Sequence, residues 1–544
     1  MRDFGNEVHP SLIVSTEVAT ILTAACLFIS ARGVRLRRRR AWISATFLQI
    51  LLIVTSLIHS AHFIFHKRAT SLFSYSSSGI SHLFSEFIIL GLLIYFREEF
   101  RTKTDPLTRN QSALFFLRNS FLGILLGFFV VFFDSQSFDH RPSISQSLEI
   151  AIKGLLGISG SLAFVNNSSQ ERLEYFLGGI GLLVILTGLA KFLRPINRST
   201  SLTDENDLKV RTLLSLHKDS DSLSYFALRQ NKNVIWGKNS KAAIPYSVVN
   251  GVMITTGDPL GDKESWPSAI SEFVNEANSH AWLPAVYGCS ETAGEIWVRE
   301  TNFEALEIGD EAVVEVEHFS IEGAEMKNVR QTINRIKRFN YATQTAHVRD
   351  IDTETRQVLA TLAQQWRGSS QERGFSMALG RFCDLQDPDC VITWTIADGK
   401  ILAMLQFVPW NSNGLSLDLM RRSPEAETGV NELMITATLD YAKKNNIDFV
   451  SLNFASFRSV FERGKKLGAG PITRINHSLL VFLSRFFQME SLYRFNLKFR
   501  PMWEPRFVIF PGIGSLVRVG FAIFRVESFL PDYTKFRIFG KSKK

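Results

Sequence analysis

The apolar residues of this chain are crowded into its first 200 positions, in runs long enough to cross a bilayer, while the remaining 344 mix charged and apolar residues as a water-soluble α/β protein does. That split dictates a helical membrane region, 1–200, followed by a soluble region. Spans of about 20 apolar residues are predicted at 11–30, 43–65, 78–96, 113–133 and 175–193. A further stretch, 147–165, carries Glu149, Lys153 and several glycines and serines, and is read as interfacial or re-entrant. The first span is not a cleaved leader, because its basic cluster, Arg32, Arg35 and Arg37 to Arg40, follows it. Such a cluster stays in the cytoplasm. Five spans then place the linker after residue 195, with its basic flank Lys191, Arg194 and Arg198, on the cytoplasmic side as well.

Charge follows the same division. Residues 1–200 hold 20 Lys and Arg against 12 Asp and Glu, and the rest hold 41 against 40, so nearly all of the net +9 belongs to the membrane half. The basic balance therefore reports topology and anionic lipid rather than a general affinity for nucleic acid. Cys26, Cys289, Cys383 and Cys390 show neither a zinc spacing nor a disulfide framework.

From residue 208 strand and helix patterns alternate. Strands are predicted at 223–230, 233–236, 248–255, 283–287, 294–298 and 312–316, and helices at 265–279 and 324–338. In the latter helix Met326, Val329, Ile333 and Ile336 share one face. Lys327, Arg330 and Arg338 share the other, which reads either as a stripe for tRNA phosphates or as a solvated face. A second cycle brings a helix at 353–366, strands at 390–396, 401–407 and 414–420, a helix at 429–445, a strand at 448–453 and a helix at about 476–488. Two similar α+β domains, 205–345 and 346–544, are the expectation.

Several segments carry a resemblance. They include Gly257-Asp258-Pro259, Gly309-Asp310-Glu311-Ala312, Glu372 through Arg381, Ser416-Leu417-Asp418-Leu419-Met420-Arg421-Arg422, Val450 through Ala455, Asn496-Leu497-Lys498-Phe499-Arg500-Pro501 and Trp503-Glu504-Pro505-Arg506. Together, over roughly 205–530, they resemble the synthase domain of bacterial phosphatidylglycerol lysyltransferases, in its actinobacterial form. The resemblance implies two packed GNAT-like acyltransferase domains with a passage between them, and transfer of an amino acid, lysine foremost, from aminoacyl-tRNA to phosphatidylglycerol. It implies no acetyl-CoA, and an ester exchange of this kind requires neither metal nor redox cofactor. Alanyl or arginyl transfer, another acceptor such as diacylglycerol or a peptidoglycan precursor, and a non-catalytic tRNA- or lipid-binding role stay open, as does a homo-oligomer.

The reaction needs orientation, help in deprotonating a hydroxyl, and oxyanion stabilisation. Asp418 and Arg421, at the end of the 414–420 strand, are the expected catalytic pair: the carboxylate takes a proton or holds an ammonium, and the guanidinium clamps a phosphate. A purely structural Asp–Arg pair is the other reading. Asn453 either donates to the oxyanion or caps a turn. Glu311 either reads the ε-ammonium of lysine or is an exposed acid at a strand entry, and Asp258 before Pro259 either binds substrate or makes a turn. Lys498 and Arg500 alternate with apolar residues as in a strand and suit phosphate contact or a solvated edge; Glu504 joins the substrate-binding group.

Overall fold

The computed structural model describes residues 39–66, 72–100, 106–134, 138–156, 167–192, 201–368, 374–456 and 489–529, with isolated positions before residue 39 and at residue 165. The chain divides into two units, Met1–Ile196 with Asn278–Ala281, and Asn197–Ala277 with Trp282–Lys544.

The first unit is helical. Its helices are α1 (Arg39–His66), α2 (Leu72–Tyr95), α3 (Pro106–Phe133), α4 (Ile144–Leu155) and α5 (Asn167–Phe192). Within α3 and α5 the stretches Ala113–Phe133 and Ser169–Leu189 are long and apolar enough to cross a membrane; α1 holds a shorter one, Ala41–Val54. Leu117, Phe121 and Phe133 of α3 point outward, as a lipid-facing surface requires. Helices α3, α4 and α5 approach closely because small residues line their contacts. A Cβ at Gly181 would lie 1.8 Å from the carbonyl oxygen of Leu155, and one at Gly154 would lie 2.5 Å from Leu177. Helix α4 covers the start of the 147–165 stretch. Its 12 residues are capped by Ser143 and Gln146 and braced by Glu149 and Lys153 at 2.5 Å. At 1.5 Å per residue it is about 18 Å long, too short to span. The first expected span, 11–30, lies outside the described residues apart from isolated positions.

The second unit is built on one sheet. Its strands are β1 (Asn233–Trp236), β2 (Ala242–Val249), β3 (Val252–Thr256), β4 (Leu260–Gly261), β5 (Leu283–Cys289), β6 (Glu304–Glu315), β7 (Ala342–His347), β8 (Val391–Ala397), β9 (Lys400–Trp410), β10 (Gly414–Arg422), β11 (Phe449–Ser456) and β12 (Met502–Phe510). Their spatial order is β1-β2-β3-β5-β12-β6-β11-β10-β9-β8-β7, with β4 beside β2. The pairs β3–β5 and β10–β11 are parallel and the others antiparallel. The two ends of the sheet therefore repeat one pattern, in which antiparallel strands lead to a parallel pair and then to a central strand. At the centre the order of the chain is exchanged. Strand β6, which follows β5 in sequence, pairs with β11, and β12, which follows β11, pairs with β5.

Helices α6 (Asp204–Leu216), α7 (Trp266–Ser279), α8 (Glu291–Thr301), α9 (Lys327–Lys337), α10 (Thr353–Arg367), α11 (Val430–Lys444), α12 (Met489–Leu497) and α13 (Ile513–Val526) cover the sheet. One core runs beneath α6, α10 and α13 and includes Phe226, Phe375, Met404 and Val408. Two smaller cores fill the opposite side: α7 and α8 over β2 and β5, and α9 and α11 over β8 to β10. Helix α9 buries Val329, Ile333 and Ile336 as its periodicity requires, each contributing about 1.5–3 kcal/mol.

Three local expectations change. Residues 223–230 form a 3-10 turn, Ser224–Leu228, rather than a strand; the run is buried on all sides, so its apolar residues carry no period. Residues 294–298 lie in α8, whose start is set by the Ser290 hydroxyl accepting the Ala293 N–H and whose end is set by Asn302 in the left-handed region. Lys498 and Arg500 are not on a strand. They sit in the turns that close α12, with Arg500 at φ +52°. The helix expected at about 476–488 lies outside the described residues.

Candidate functional site

Strand β10 pairs with β11 only over Gly414 to Ser416, and then the two separate. A bulge between Leu417 and Leu419 makes Asp418 the extra residue of β10 and turns its side chain toward α10. Asp418 and Arg421 line an open pocket of about 230 Å³ together with Ala363, Gln364, Arg367 and Arg381. The Asp418 carboxylate accepts the Leu379 N–H at 2.7 Å and a hydrogen from the Gln406 amide. Arg421 donates to the Ala363 carbonyl oxygen at the end of α10. The two are therefore brought to one pocket, each through its own anchor.

Asn453 occupies the left-handed region, φ +68°, at the bulge of β11 between Ser451 and Phe454. Its amide donates to the Leu417 carbonyl oxygen and so spans the gap between the separating strands. Its Oδ1 is buried and, among the described residues, has no hydrogen-bond partner, as is true of the Ser416 hydroxyl.

Glu311 and Asp258 belong to a different constellation, in the interior. Glu311 is fully buried rather than exposed at a strand entry. One carboxylate oxygen accepts the hydroxyls of Ser222 (2.6 Å) and Ser451, and the other accepts Nε (3.0 Å) and Nη2 of Arg506. Burial pushes this carboxyl up, but Arg506 and the two hydroxyls overcome it and hold Glu311 below the usual range. Arg506 also pairs with Asp221 at 2.7 Å. Asp258 makes more than a turn: its oxygens accept the Ser290 N–H at 2.8 Å and the Ser290 hydroxyl at 2.6 Å, which fixes the cap of α8. Burial, and then Asp221 nearby, push the Asp258 carboxyl up to about 7. Gly257 permits this crowding, since a Cβ there would lie 2.8 Å from Asp221 and its φ is +68°. Glu504, directly across the β6–β12 ladder from Glu311, faces out of the same side of the sheet and is exposed; partial burial and then Glu311 raise it.

The remaining cations stand apart from these groups. Lys498 pairs with Glu432 at 2.8 Å, and exposed Arg500 with Glu325 at 2.7 Å. Arg330 ties down a loop, donating to the carbonyls of Ile321 (2.6 Å) and Gly323 (3.1 Å), whereas Lys327 and Arg338 are exposed. Among the described residues no group of acids, histidines and cysteines is arranged to hold a metal ion.

Sequence reasoning missed Asp221, Arg381, Asp387 and Gln406. Asp387 is almost fully buried, and it gathers Arg381, Arg211 (3.1 Å) and Tyr225 (2.9 Å). Gln406 joins that group to Asp418 by donating to the Arg381 carbonyl oxygen at 3.0 Å and to the carboxylate. Arg381 and Arg506 each end a segment that carried the resemblance, which was the available signal; Asp221, Asp387 and Gln406 had none.

Residues 211–510 match the family model described as phosphatidylglycerol lysyltransferase, C-terminal. The chain is 35% identical over 520 residues to the lysylphosphatidylglycerol biosynthesis bifunctional protein LysX of Rhodococcus jostii (strain RHA1), covering 95% of this chain and 45% of that protein. It is 40% identical over 359 residues to LysX of Mycobacterium avium (strain 104), covering 66% of this chain and 30% of that protein. The chain thus spans less than half the length of these relatives. Among solved structures, L-PGS from Bacillus licheniformis aligns with a TM-score of 0.53 at 20% identity, over 62% of this chain and 99% of that one, which is a likeness of fold.

Proposed function

The chain belongs to the phosphatidylglycerol lysyltransferase family through its C-terminal region, and on that premise we propose that it transfers an amino acid, lysine, from aminoacyl-tRNA to a glycerol hydroxyl of phosphatidylglycerol. The observation that carries this reading is that Asp418 and Arg421 both line one open pocket within the matched region. The lipid hydroxyl oxygen attacks the ester carbonyl carbon. The bond from that carbon to the ribose oxygen breaks, and the proton of the hydroxyl ends on the ribose. Asp418, aimed by the Leu379 N–H and Gln406, takes the proton in passage. Arg421 clamps the lipid phosphate. Asn453 has a second amide hydrogen, beside the one on Leu417, for the developing oxyanion.

In this reading the two ends of the sheet are two packed GNAT-like domains, 205–345 and 346–544, with the central strands exchanged between them. The first unit holds the enzyme in the cell membrane as a multi-pass anchor, with the catalytic region in the cytoplasm where charged tRNA is found. The chemistry calls for no cofactor beyond aminoacyl-tRNA as co-substrate. The product carries about +1 where the acceptor carried −1, which weakens attraction for cationic peptides.

The test is incubation of the purified full chain with phosphatidylglycerol vesicles and separately charged lysyl-, alanyl- and arginyl-tRNA, following labelled amino acid into lipid. Label entering from lysyl-tRNA alone is expected. No labelled lipid from any of the three refutes the transfer.

A further inference from the structure

Asp418 is held by two donors, and both belong to or lean on one irregular segment, Gly374 to Arg381. The Leu379 N–H donates to one carboxylate oxygen at 2.7 Å. The Gln406 amide donates to the other, and also to the Arg381 carbonyl oxygen at 3.0 Å, while its own oxygen accepts the Cys383 N–H at 2.7 Å. A carboxylate on the extra residue of a bulge is only as well placed as the groups that support it. The segment takes its shape from glycines at either end. Gly374 and Gly380 have φ of +92° and +83°, and a Cβ on Gly374 would lie 3.1 Å from that of Ala378.

Packed backbone outside helices and strands needs partners from elsewhere, and here they come from distant parts of the chain. Arg229, at the end of the Ser224–Leu228 turn, donates from Nη1 to the carbonyl oxygens of Gly374 (3.0 Å) and Ala378 (2.7 Å). Its Nε donates to Asn231 at 2.9 Å, which fixes the plane of the guanidinium, and its Cζ lies against Gly380. Buried Glu527, just after α13, accepts the Ser376 N–H at 2.9 Å. Burial pushes the Glu527 carboxyl up, and the Ser376 N–H, Arg229 and Lys232 pull against it, so these groups form one network. Lys232 Nζ also stands 4.6 Å from the centre of the buried Phe375 ring and donates to the Thr256 hydroxyl at 2.9 Å. Arg229, Lys232 and Thr256 all precede β5, whereas Asp418 lies on β10.

We propose that Arg229 is a positioning residue for the aminoacyl transfer: by holding the Gly374 and Ala378 carbonyls it keeps the Leu379 N–H, and through Arg381 the Gln406 amide, on Asp418, and so sets the direction in which that carboxylate takes its proton. The role in transfer rests on the reading of Asp418 given above; the hold of Arg229 on the segment does not. A guanidinium suits the task because its plane is fixed by one nitrogen while another reaches both carbonyls, which the point charge of an ammonium cannot reproduce. The stretch from Asp221 to Arg229 therefore serves both constellations. Asp221 and Ser222 contact Arg506 at its start, and Arg229 supports the Asp418 pocket at its end.

The test uses the detergent-solubilised full chain with phosphatidylglycerol and lysyl-tRNA. Arg229→Met removes the donors and keeps the stem of the side chain. It is expected to lower kcat about 10–100-fold, the upper figure being the loss that a 1 Å misplacement brings, with KM for both substrates within about twofold of the parent. In an Asp418→Ala background the same substitution is expected to cost nothing further in kcat, because it acts through that carboxylate; a change that merely loosens the fold lowers kcat equally in both backgrounds. Arg229→Lys is expected to fall between parent and Arg229→Met, and it carries the test if Arg229→Met does not fold. Hydrogen exchange followed by mass spectrometry needs no activity: amides 375–381 should exchange faster in the variant than in the parent. A parental kcat, a loss that multiplies in the double variant, a raised KM for tRNA with kcat unaltered, or unchanged exchange at 375–381 overturns the positioning role and leaves the transfer standing. If the parent makes no labelled lipid from any charged tRNA, the transfer is refuted and with it the role in catalysis, while the exchange rates still decide whether Arg229 holds the segment against Asp418.

Discussion

The Asp258 carboxyl offers a quantitative handle on the interior charges. Its pKa rises from 3.8 to about 7, chiefly because it is buried and next because Asp221 lies against it. The folded protein therefore binds this proton more tightly than the unfolded chain. Its contribution to stability is fully present below about pH 4, is lost as pH rises through about 7, and is flat above about pH 8. Roughly three pK units at 1.36 kcal/mol each give a span of about 4 kcal/mol. Asp258→Asn keeps the size and the acceptor for the Ser290 N–H while removing the titration. The stability of the variant relative to the parent should therefore climb by about 1.4 kcal/mol per pH unit between about pH 4 and pH 7. Between pH 5 and pH 7, with the group half titrated at the upper end, that is about 2.3 kcal/mol, or about 5–9 °C in the difference of melting temperatures at 2–4 °C per kcal/mol. Thermal melts of both proteins in one detergent, at half-unit steps of pH, measure it. A difference that does not change across this window refutes the placement of Asp258 in an acid-rich interior.

Further outcomes follow from the same geometry. Asp418→Ala should lower kcat about 10²–10⁴-fold, the range for a lost general base, with lipid binding retained; an unaltered kcat in the labelled-lipid assay removes Asp418 from the chemistry. Arg506→Met leaves Glu311 and Asp221 without their counter-ion and should cost about 3–5 kcal/mol in a denaturation measurement. Lys327→Ala with Arg338→Ala should reduce the slope of log affinity for tRNA against log salt by about 1–2, if each meets a phosphate. Arg330→Ala should instead lower the melting temperature, because that side chain holds the 321–323 loop.

The sequence disclosed what periodicity and local chemistry encode. Helix α9 was readable because Val329, Ile333 and Ile336 repeat at the helical interval and no other element imposes a second pattern. Asp418 and Arg421 share one mouth because the bulge between Leu417 and Leu419 shifts the alternation of β10, a feature that the sequence does not mark. The 3-10 turn at Ser224–Leu228 was not readable, since residues buried on every side have no polar face to mark a period. The partners of Glu311 were hidden for another reason. Ser222, Ser451 and Arg506 stand 89, 140 and 195 residues away, and only the folded sheet brings them to one carboxylate. The start of α8 carried a local signal in Ser290, a helix-capping residue type four places ahead of Gly294 and seven ahead of Trp297, which opens a helix more readily than a strand.

The exchange of β6 and β12 has a consequence for how the protein comes into being. During synthesis, β5 leaves the ribosome more than 200 residues before its neighbour β12, so one edge of the early sheet stands open while that stretch of chain is being made. Closure awaits the final strand, which makes the two ends of the sheet obligate partners rather than modules that mature in turn. A nascent chain arrested before residue 502 would keep that edge exposed to chaperones, and genes for the two halves could be separated only if both products met before either finished folding.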